Sequence, residues 1–277
     1  MRLLHLFQTY GWARLQSVFS ADEAAAMREA VWRVLSRRGI RPDNPLTWKE
    51  ERPAHLQELK NNPVFWAAWG KRTIAAIDEV MDGAGWRMPK SPGAHFITFP
   101  SREEWNIPSS GWHIDANYLS ALAPPVGVRL FALFGDVEPR AGGTLILSGS
   151  HRLVHRWFRD HPPPRGARGA ELRRLLQGHP YIRDLHTPGD RDERVAQFME
   201  TIEEADGIPL QVIENRGVAG DVILIHPLML HVAAPNNASQ LRFLLSGGVD
   251  TAAMWGSRGQ LTRRVPGMAG LSHRKTT

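Results

Sequence analysis

The sequence predicts a mainly β protein, a sandwich or barrel, preceded by a helical part. Apolar residues recur at helical spacing before residue 90, and short segments rich in β-branched or aromatic residues follow, bounded by Gly, Pro, Asn or Asp. These segments do not alternate with long helices, which argues against a parallel nucleotide-binding sheet. Of the 277 residues, 42% are hydrophobic, 22% are charged and none is cysteine, so the chain is globular and has neither disulfides nor thiolate metal ligands.

Two helices are predicted in the first ninety residues. Ser20 and Glu23 have the spacing of a capping box, and the apolar positions after them continue at helical spacing until Gly39. A second helix is expected to begin after Pro63 and to end at Gly83. We assign no chemistry to these helices, whose apolar residues are expected to form core.

Six strands are predicted in the remainder of the chain. Residues 151–205 interrupt them, and we expect this segment to be either a lid or binding loop, or a surface excursion with one or two helices. The predicted strands are 95–99, 127–134, 143–147, 210–214, 221–225 and 241–249.

The net charge gives only a weak indication of the kind of ligand. A net charge of +6 favours anionic ligands, but a solvated surface rich in arginine explains it as well. No apolar run approaches the roughly 20 residues of a membrane-spanning helix, and the N-terminus lacks the features of a signal peptide. We therefore expect a cytoplasmic protein.

One His-x-Asp pattern, His113-Ile114-Asp115, occurs among the 12 histidines. In an extended backbone, residues i and i+2 point to the same face, so an imidazole and a carboxylate converge. A metal that accepts nitrogen and oxygen ligands can use both. Taken alone, the pattern also fits a structural His–Asp hydrogen bond.

Two further histidines, His226 and His231, follow a clean apolar strand. Either one could complete a set of two histidines and one carboxylate. Such a set leaves three metal positions open and is typical of non-haem Fe(II) oxygenases. The chemistry of the side chains does not choose between the two histidines.

Arg242 lies inside an otherwise apolar strand, where a guanidinium is costly unless an anion meets it. Its planar fork matches a carboxylate in a bidentate way, as the far end of a dicarboxylate cosubstrate would require. An internal salt bridge or an outward-facing arginine at a sheet edge is the alternative.

Four motifs in this order resemble the phytanoyl-CoA dioxygenase-like proteins, which are Fe(II)- and 2-oxoglutarate-dependent oxygenases on a double-stranded β-helix, a cupin-type jelly roll. The motifs are Trp112-His113-x-Asp115, Gly142-Gly143-Thr144 leading to Gly149-Ser150-His151-Arg152, Gly220-Asp221 ahead of His231-x-x-x-Pro235-Asn236, and Arg242. The resemblance covers about residues 90–250. It implies one oxygenase domain over 1–277, with helical support over 1–90, a jelly-roll core over 91–250 that contains the 151–205 insertion, and a C-terminal extension over 251–277.

The resemblance implies a role for each matched residue. His113, Asp115 and His231 correspond to the catalytic iron ligands. His231 is chosen because it stands ahead of a Pro-Asn turn and eleven residues before Arg242, whereas His226 is expected to be structural or to lie behind the ligands. Arg242 corresponds to the residue that holds the distal carboxylate of 2-oxoglutarate.

One departure from the pattern concerns the cosubstrate. Relatives often carry a hydroxyl near this arginine, at positions that are Leu244 and Ala233 in this sequence. A second contact with 2-oxoglutarate must therefore come from elsewhere, and Thr144 and Thr98 are the candidates.

The implied activity is that of a non-haem dioxygenase that uses Fe(II), 2-oxoglutarate and O2. It would hydroxylate or otherwise oxidise an aliphatic C–H bond of a small molecule and release succinate and CO2. Related halogenases have a small residue where Asp115 stands, so its presence favours hydroxylation. Trp112, Asn117 and Tyr118 are expected to line the substrate pocket. Four arginines of the insertion indicate an anionic substrate: Arg165, Arg168, Arg173 and Arg174.

Three alternatives stay open. A cupin-type metalloenzyme without 2-oxoglutarate would use the same ligands but would not need Arg242. A basic nucleic-acid-binding protein would interleave basic and aromatic residues on one surface, whereas the aromatic residues here lie mainly at helical core positions. A nonenzymatic metal-binding relative is the third. We expect no nucleic acid or membrane partner, and the sequence does not indicate the oligomeric state.

Overall fold

The computed structural model describes residues 2–53, 56–115, 126–164, 167 and 169–251. The described strands are β1 (Trp12–Leu15), β2 (Ala94–Thr98), β3 (Gly127–Leu133), β4 (Thr144–Ser148), β5 (Glu203–Ala205), β6 (Ile208–Asn215), β7 (Val222–Ile225), β8 (His231–Ala233) and β9 (Arg242–Asp250). The α-helices are α1 (Leu3–Tyr10), α2 (Ala21–Arg37), α3 (Lys71–Met81), α4 (Ser150–Asp160), α5 (Ala170–Leu176), α6 (Pro180–Leu185) and α7 (Arg191–Val195). Short 3-10 helices span Pro45–Thr47, Gln57–Leu59 and Pro63–Trp69, and a π-helical turn spans Ala196–Glu200.

The strands form two antiparallel sheets, in the orders β1-β7-β3-β9-β2 and β5-β6-β4-β8. Side chains alternate between the two faces of each sheet, as the pleat requires. In β3, for example, Phe131 and Leu133 face the other sheet, while Leu130 and Ala132 face outward. One apolar layer therefore joins the inner faces of the two sheets, as in a jelly roll. This layer includes Phe131, Leu133, Ile146, Ile223, Ile225 and Leu244.

Helices cover both outer faces. Helices α2 and α3 pack against the five-stranded sheet. The capping box at the start of α2 is confirmed, because the amide of Glu23 donates to the Ser20 hydroxyl at 3.1 Å and the amide of Ser20 donates to the Glu23 carboxylate at 2.7 Å. The second predicted helix is interrupted. Gly70 adopts an extended conformation (ψ 173°) that separates the 3-10 helix from α3.

Two expectations from the sequence need correction. The first ninety residues are not wholly helical, because β1 pairs with β7, with Trp12 opposite Ile225. Residues 151–205 contain more helix than the one or two helices expected for a surface excursion, and their expected role as a lid or binding segment stays a prediction. Four helices, α4 to α7, lie between β4 and β5, and their apolar residues pack on the outer face of the four-stranded sheet. They include Leu153, Phe158, Leu172, Leu176, Ile182 and Leu185.

Several predicted features lie outside the described residues, namely Asn117, Tyr118, Arg165, Arg168 and the C-terminal extension after Thr251. Among the helices that the structure does describe, none combines the length and the apolar character that crossing a membrane would require.

Candidate metal centre and cosubstrate site

The backbone brings His113 next to His231 although 118 residues separate them. The two residues form an antiparallel bridge in which each amide donates to the other's carbonyl, at 3.1 and 3.0 Å. The amide of Asp115 donates to the carbonyl of Pro227 at 3.1 Å, which is two residues out of the register set by the bridge. His113 is therefore held against the start of β8, and Asp115 against the segment that precedes β8.

Hydrogen bonds orient both imidazole rings. Nδ1 of His113 lies 2.8 Å from the carbonyl oxygen of Gly111, and Nδ1 of His231 lies 3.0 Å from that of Met229. A carbonyl oxygen can only accept, so each Nδ1 carries the hydrogen and each Nε2 keeps a free lone pair. This is the tautomer that a metal ligand needs.

The free atoms of the three side chains converge. Nε2 of His113 is 3.8 Å from Oδ1 of Asp115, and Nε2 of His231 is 3.7 Å from Oδ2. All three ligand atoms lie within 4.8 Å of one another. Two atoms that bind one ion at about 2.1 Å are at most about 4.2 Å apart, so small adjustments seat an ion among them. The donor set fits a two-histidine, one-carboxylate centre.

Burial gives the centre a closed side and an open side. The side chain of His231 is 6% exposed, whereas those of His113 and Asp115 are 40% and 30% exposed. Burial lowers the pKa of His231 to about 4 against the opposing effect of the Asp115 charge, so this ring is neutral at pH 7. Neutral imidazole is the form that binds a metal.

Arg129 supports the centre and was not predicted from the sequence. It lies on β3 and donates from Nη2 to the carbonyl of Asp115 at 3.3 Å and to the carboxylate of Asp250 at 3.0 Å. It therefore links the backbone of the carboxylate residue to the five-stranded sheet. Its sequence signal was the same as that of Arg242, a lone arginine in an apolar strand.

Arg242 is buried between the sheets, with 3% exposure. Its Nη1 donates to the hydroxyl of Thr144 at 3.2 Å and its Nη2 donates to that of Thr98 at 3.0 Å, while Nε has no partner within the described part of the chain. Strand β9 lies between β3 and β2, so the edge-strand alternative was wrong. Across the described ranges, no carboxylate pairs with this guanidinium within 4.0 Å, which leaves the salt-bridge alternative without support.

One positive and one negative side chain of the N-terminal part act on Arg242. Burial lowers its pKa to about 9, the charge of Arg52 lowers it further and that of Glu51 opposes the shift, so Arg242 is still charged at pH 7. Arg52 reaches this region from the N-terminal part and donates to the carbonyls of Ala233 and Ala234, at 3.5 and 3.2 Å. Its contribution was missed because it lies in a polar segment with no strand or helix pattern.

Two of the sequence motifs meet beside Arg242. Gly142 has a positive φ of 76°, and a Cβ at this position would lie 2.9 Å from Cβ of Asn236. Asn236 in turn donates from Nδ2 to the carbonyls of Thr98 and Gln240, at 3.1 and 2.8 Å. The glycine therefore permits the close approach of an asparagine that fixes the strand carrying Thr98.

His226 lies outside the centre. Its Nδ1 accepts from the amide of Leu228 at 3.1 Å, and its ring packs against His151 and Phe7, with centroids 5.1 and 6.0 Å away. Alternation along β7 explains the placement, because Leu224 belongs to the outward-facing side of that strand and His226 continues it. Burial lowers the pKa of His226 well below its ordinary value.

These buried histidines predict an acid-sensitive fold. Burial lowers the pKa of His151 to about 4. Between about pH 4 and pH 6.5 this histidine is therefore protonated in the unfolded chain and neutral in the folded chain. The contribution of this histidine to the free energy of unfolding is therefore fully present at neutral pH and is lost as the pH falls toward about 4. His151 alone should lower the free energy of unfolding by about 2 kcal/mol between pH 7 and pH 5. Urea unfolding at the two pH values measures this change. His151→Gln should reduce it, and His161→Gln, at an exposed position, should not; an equal pH dependence in both variants would contradict the assignment.

Trp112 is fully buried, and its indole nitrogen donates to the carbonyl of Pro108 at 2.7 Å. It packs in the cluster between the four-stranded sheet and helices α4 to α6. The position indicates a packing role, and its predicted contact with substrate stays a prediction.

The fold and the site together define a class, a jelly-roll protein with a candidate metal centre of two histidines and one carboxylate. The family model of phytanoyl-CoA dioxygenase (PhyH) matches residues 7–244, and the chain belongs to this family. No curated protein matches the sequence.

Solved structures share the fold at low sequence identity. The non-heme alpha ketoglutarate dependent carbocyclase SnoK from nogalamycin biosynthesis is 15% identical with a TM-score of 0.56, over 97% of this chain and 93% of that one. The epimerase SnoN in complex with Fe3+, alpha ketoglutarate and nogalamycin RO is 15% identical with a TM-score of 0.53, over 90% and 82%. HygX from Streptomyces hygroscopicus, with nickel and 2-oxoglutarate bound, is 17% identical with a TM-score of 0.53, over 90% and 86%. At these identities the similarity shows a common fold.

Proposed function

We propose that the protein is an Fe(II)- and 2-oxoglutarate-dependent dioxygenase that acts as a single domain. His113, Asp115 and His231 are its metal ligands, and Arg242 binds the distal carboxylate of 2-oxoglutarate. The observation that carries the proposal is a buried guanidinium with no carboxylate of the described residues within 4.0 Å, in the same inter-sheet space as the three converging ligands. Family membership supports it, as do the metal and cosubstrate named for SnoN and HygX.

The spacing between the two parts of the site suits a short dicarboxylate. On β4, Thr144 contacts Arg242, and Ile146 lies opposite the ligand His231. Two residues along a strand cover about 6.6 Å. A molecule anchored at Arg242 by one end can therefore reach the metal ligands with the other, which is what bidentate binding of a keto acid requires.

The protein's own groups hold and orient the reactants. The carbonyls of Gly111 and Met229 fix the two imidazoles, and the hydroxyls of Thr98 and Thr144 fix the guanidinium. Each threonine hydroxyl accepts from the guanidinium and keeps its own hydrogen, which it can donate to the cosubstrate carboxylate. When bound, Fe(II) and 2-oxoglutarate supply the O2-dependent oxidation of a C–H bond, with release of succinate and CO2.

The proposed reaction is hydroxylation or a related oxidation of an aliphatic C–H bond in a small molecule. Asp115 supplies a third protein ligand, which supports hydroxylation over halogenation. A cytoplasmic location, without a nucleic acid or membrane partner, is part of the same proposal. The buried Arg242 argues against a cupin-type enzyme that does not use 2-oxoglutarate, because in such an enzyme no anionic cosubstrate would bind this cation.

Succinate release tests the proposal. Purified protein with Fe(II), 2-oxoglutarate and O2 should form succinate, and His113→Ala should abolish this because one ligand is lost. His161→Ala, at an exposed histidine outside the centre, is the matched control and should keep the activity. Equal succinate formation by wild type and His113→Ala would end the assignment.

A further inference from the structure

A polar recess of about 430 Å³ is lined in part by the loop that precedes the candidate ligand His113. Its walls come from the loop before His113 and from helices α5 and α6 with the residues after them. The lining residues are Ser109, Ser110, Gly111, Arg173, Gln177, Arg183, His186 and Thr187. A concave site of this size holds a small organic molecule or one end of a larger one.

The recess is built to receive negative charge. Two arginines line it and no carboxylate does. Glu171 and Asp184 are near in sequence, but neither forms an ion pair with Arg173 or Arg183, and no other carboxylate of the described ranges does so. The guanidinium groups therefore keep their donors for a ligand, together with the hydroxyls of the serines.

His186 forms part of the same wall. Its Nδ1 donates to the carbonyl of Ile182 at 2.7 Å, which fixes the ring, and its Nε2 is buried without a partner in the described structure. Because Nε2 is not accessible, His186 shapes the recess and is not among the groups that would contact an anion.

Gly111 connects the recess to the metal centre. It lines the recess, and its carbonyl accepts from Nδ1 of the ligand His113 at 2.8 Å. The side chain of His113 is 40% exposed, so the open side of the centre is the side that a substrate approaches. The recess itself meets the loop of residues 109–111, which stands behind the His113 ring, because the Gly111 carbonyl contacts Nδ1 and not the metal-facing Nε2. A substrate bound in the recess by one end would therefore have to extend past this ring to reach the centre.

We propose that this recess binds an oxyanion group of the substrate, a carboxylate or a phosphate, through Arg173 and Arg183. The inference rests on the proposed function, since it makes the recess the part of the active site that selects the substrate. The sequence had suggested an anionic substrate from four arginines of the insertion. Of the two that the structure describes, Arg173 lines the recess, whereas the neighbouring Arg174 is exposed and does not.

Titration of small anions tests the inference without any turnover. Inorganic phosphate and, separately, acetate are titrated calorimetrically into the metal-free protein. We expect at least one of them to bind, and Arg173→Gln to weaken it by about 10-fold or more. Arg174→Gln removes the same charge from the same helix and should leave the affinity unchanged. Binding of phosphate alone would indicate a phosphoester, and binding of both anions a carboxylate.

Two results would overturn the inference, namely no binding of either anion, or equal weakening in Arg173→Gln and Arg174→Gln. If the anion bound at Arg242 instead, the Arg173→Gln substitution would leave its affinity unchanged. Titration of 2-oxoglutarate into the nickel-loaded, anaerobic protein separates the two proposals. If 2-oxoglutarate binds normally but no anion binding depends on Arg173, the proposal for the recess is refuted and the dioxygenase assignment stands. If anion binding depends on Arg173 but 2-oxoglutarate does not bind, the dioxygenase assignment is refuted.

Discussion

Arg242→Met is expected to abolish 2-oxoglutarate binding while leaving the metal-free protein as stable as the wild type, or more stable. The guanidinium is buried, and its hydrogen-bond partners are two neutral hydroxyls. A buried cation that no carboxylate contacts directly is destabilising, and replacing such a group by an apolar side chain of similar length is often neutral or stabilising, by about 1–4 kcal/mol.

The expected loss of affinity follows from the same burial. A carboxylate bound to a desolvated guanidinium forms charge-assisted hydrogen bonds, and removing one partner of such a pair costs about 3 kcal/mol or more. That corresponds to a dissociation constant for 2-oxoglutarate that is about 100-fold higher or more. Metal binding should not change, because Arg242 is not among the converging ligands.

Calorimetric titration of 2-oxoglutarate into nickel-loaded protein and urea unfolding of the metal-free protein measure the two effects. Arg194→Met is the matched control, since Arg194 is also buried but donates to backbone carbonyls of Thr187, Leu185 and Ile107. It should lower stability, because the carbonyls lose a charged donor, and should leave 2-oxoglutarate binding intact. Loss of stability in Arg242→Met with unchanged 2-oxoglutarate affinity would make Arg242 a structural residue.

Local patterns were enough to find most of the sheet. The six predicted strands correspond to β2, β3, β4, β6, β7 and β9, because short runs of β-branched and other apolar residues between turn residues favour an extended backbone. Strands β1 (Trp-Ala-Arg-Leu) and β8 (His-Val-Ala) are short and mixed in composition, whereas the equally short β7 is a continuous apolar run that marks it as a strand.

Strand β5 also has a signal in the sequence. It is joined to β6 by Asp206 and Gly207, which have φ of 52° and 69°. Asp-Gly between two extended segments is a strong indication of a two-residue hairpin, because both residues tolerate positive φ. The polar residues of β5 concealed it, since Glu203 and Glu204 do not resemble a core strand.

The candidate site was predictable in part from spacing and in part only from tertiary structure. Alternation along β7 places His226 with Leu224 on the outer side, so strand parity alone could have set it apart from the metal ligands. The contact of Thr98 and Thr144 with Arg242 depends on which strands become neighbours, which the sequence does not state. The recess at Arg173 and Arg183 depends on how the helices of residues 151–205 pack, and composition indicated only its charge.

His231→Ala and His226→Ala are expected to have opposite effects although they remove the same side chain from two buried sites five residues apart. Loss of His231 leaves one imidazole and one carboxylate at the centre. Even a residue that only orients a ligand changes metal affinity by about 10- to 100-fold, so loss of the ligand itself should weaken binding by about 100-fold or more. His226→Ala should keep the metal affinity, because its Nδ1 is occupied by the amide of Leu228.

The free energy of unfolding should fall more in His226→Ala than in His231→Ala. His226→Ala leaves the Leu228 amide without its acceptor and opens a gap beside Phe7 and His151, which costs about 1–3 kcal/mol or more. Metal titration at pH 7 under anaerobic conditions, combined with urea unfolding of the metal-free protein, separates the two roles. Weakened metal binding in folded His226→Ala, with normal binding in His231→Ala, would exchange the two assignments. It would also break the geometric link between the metal centre and Arg242, because only His231 lies opposite the strand that carries Thr144.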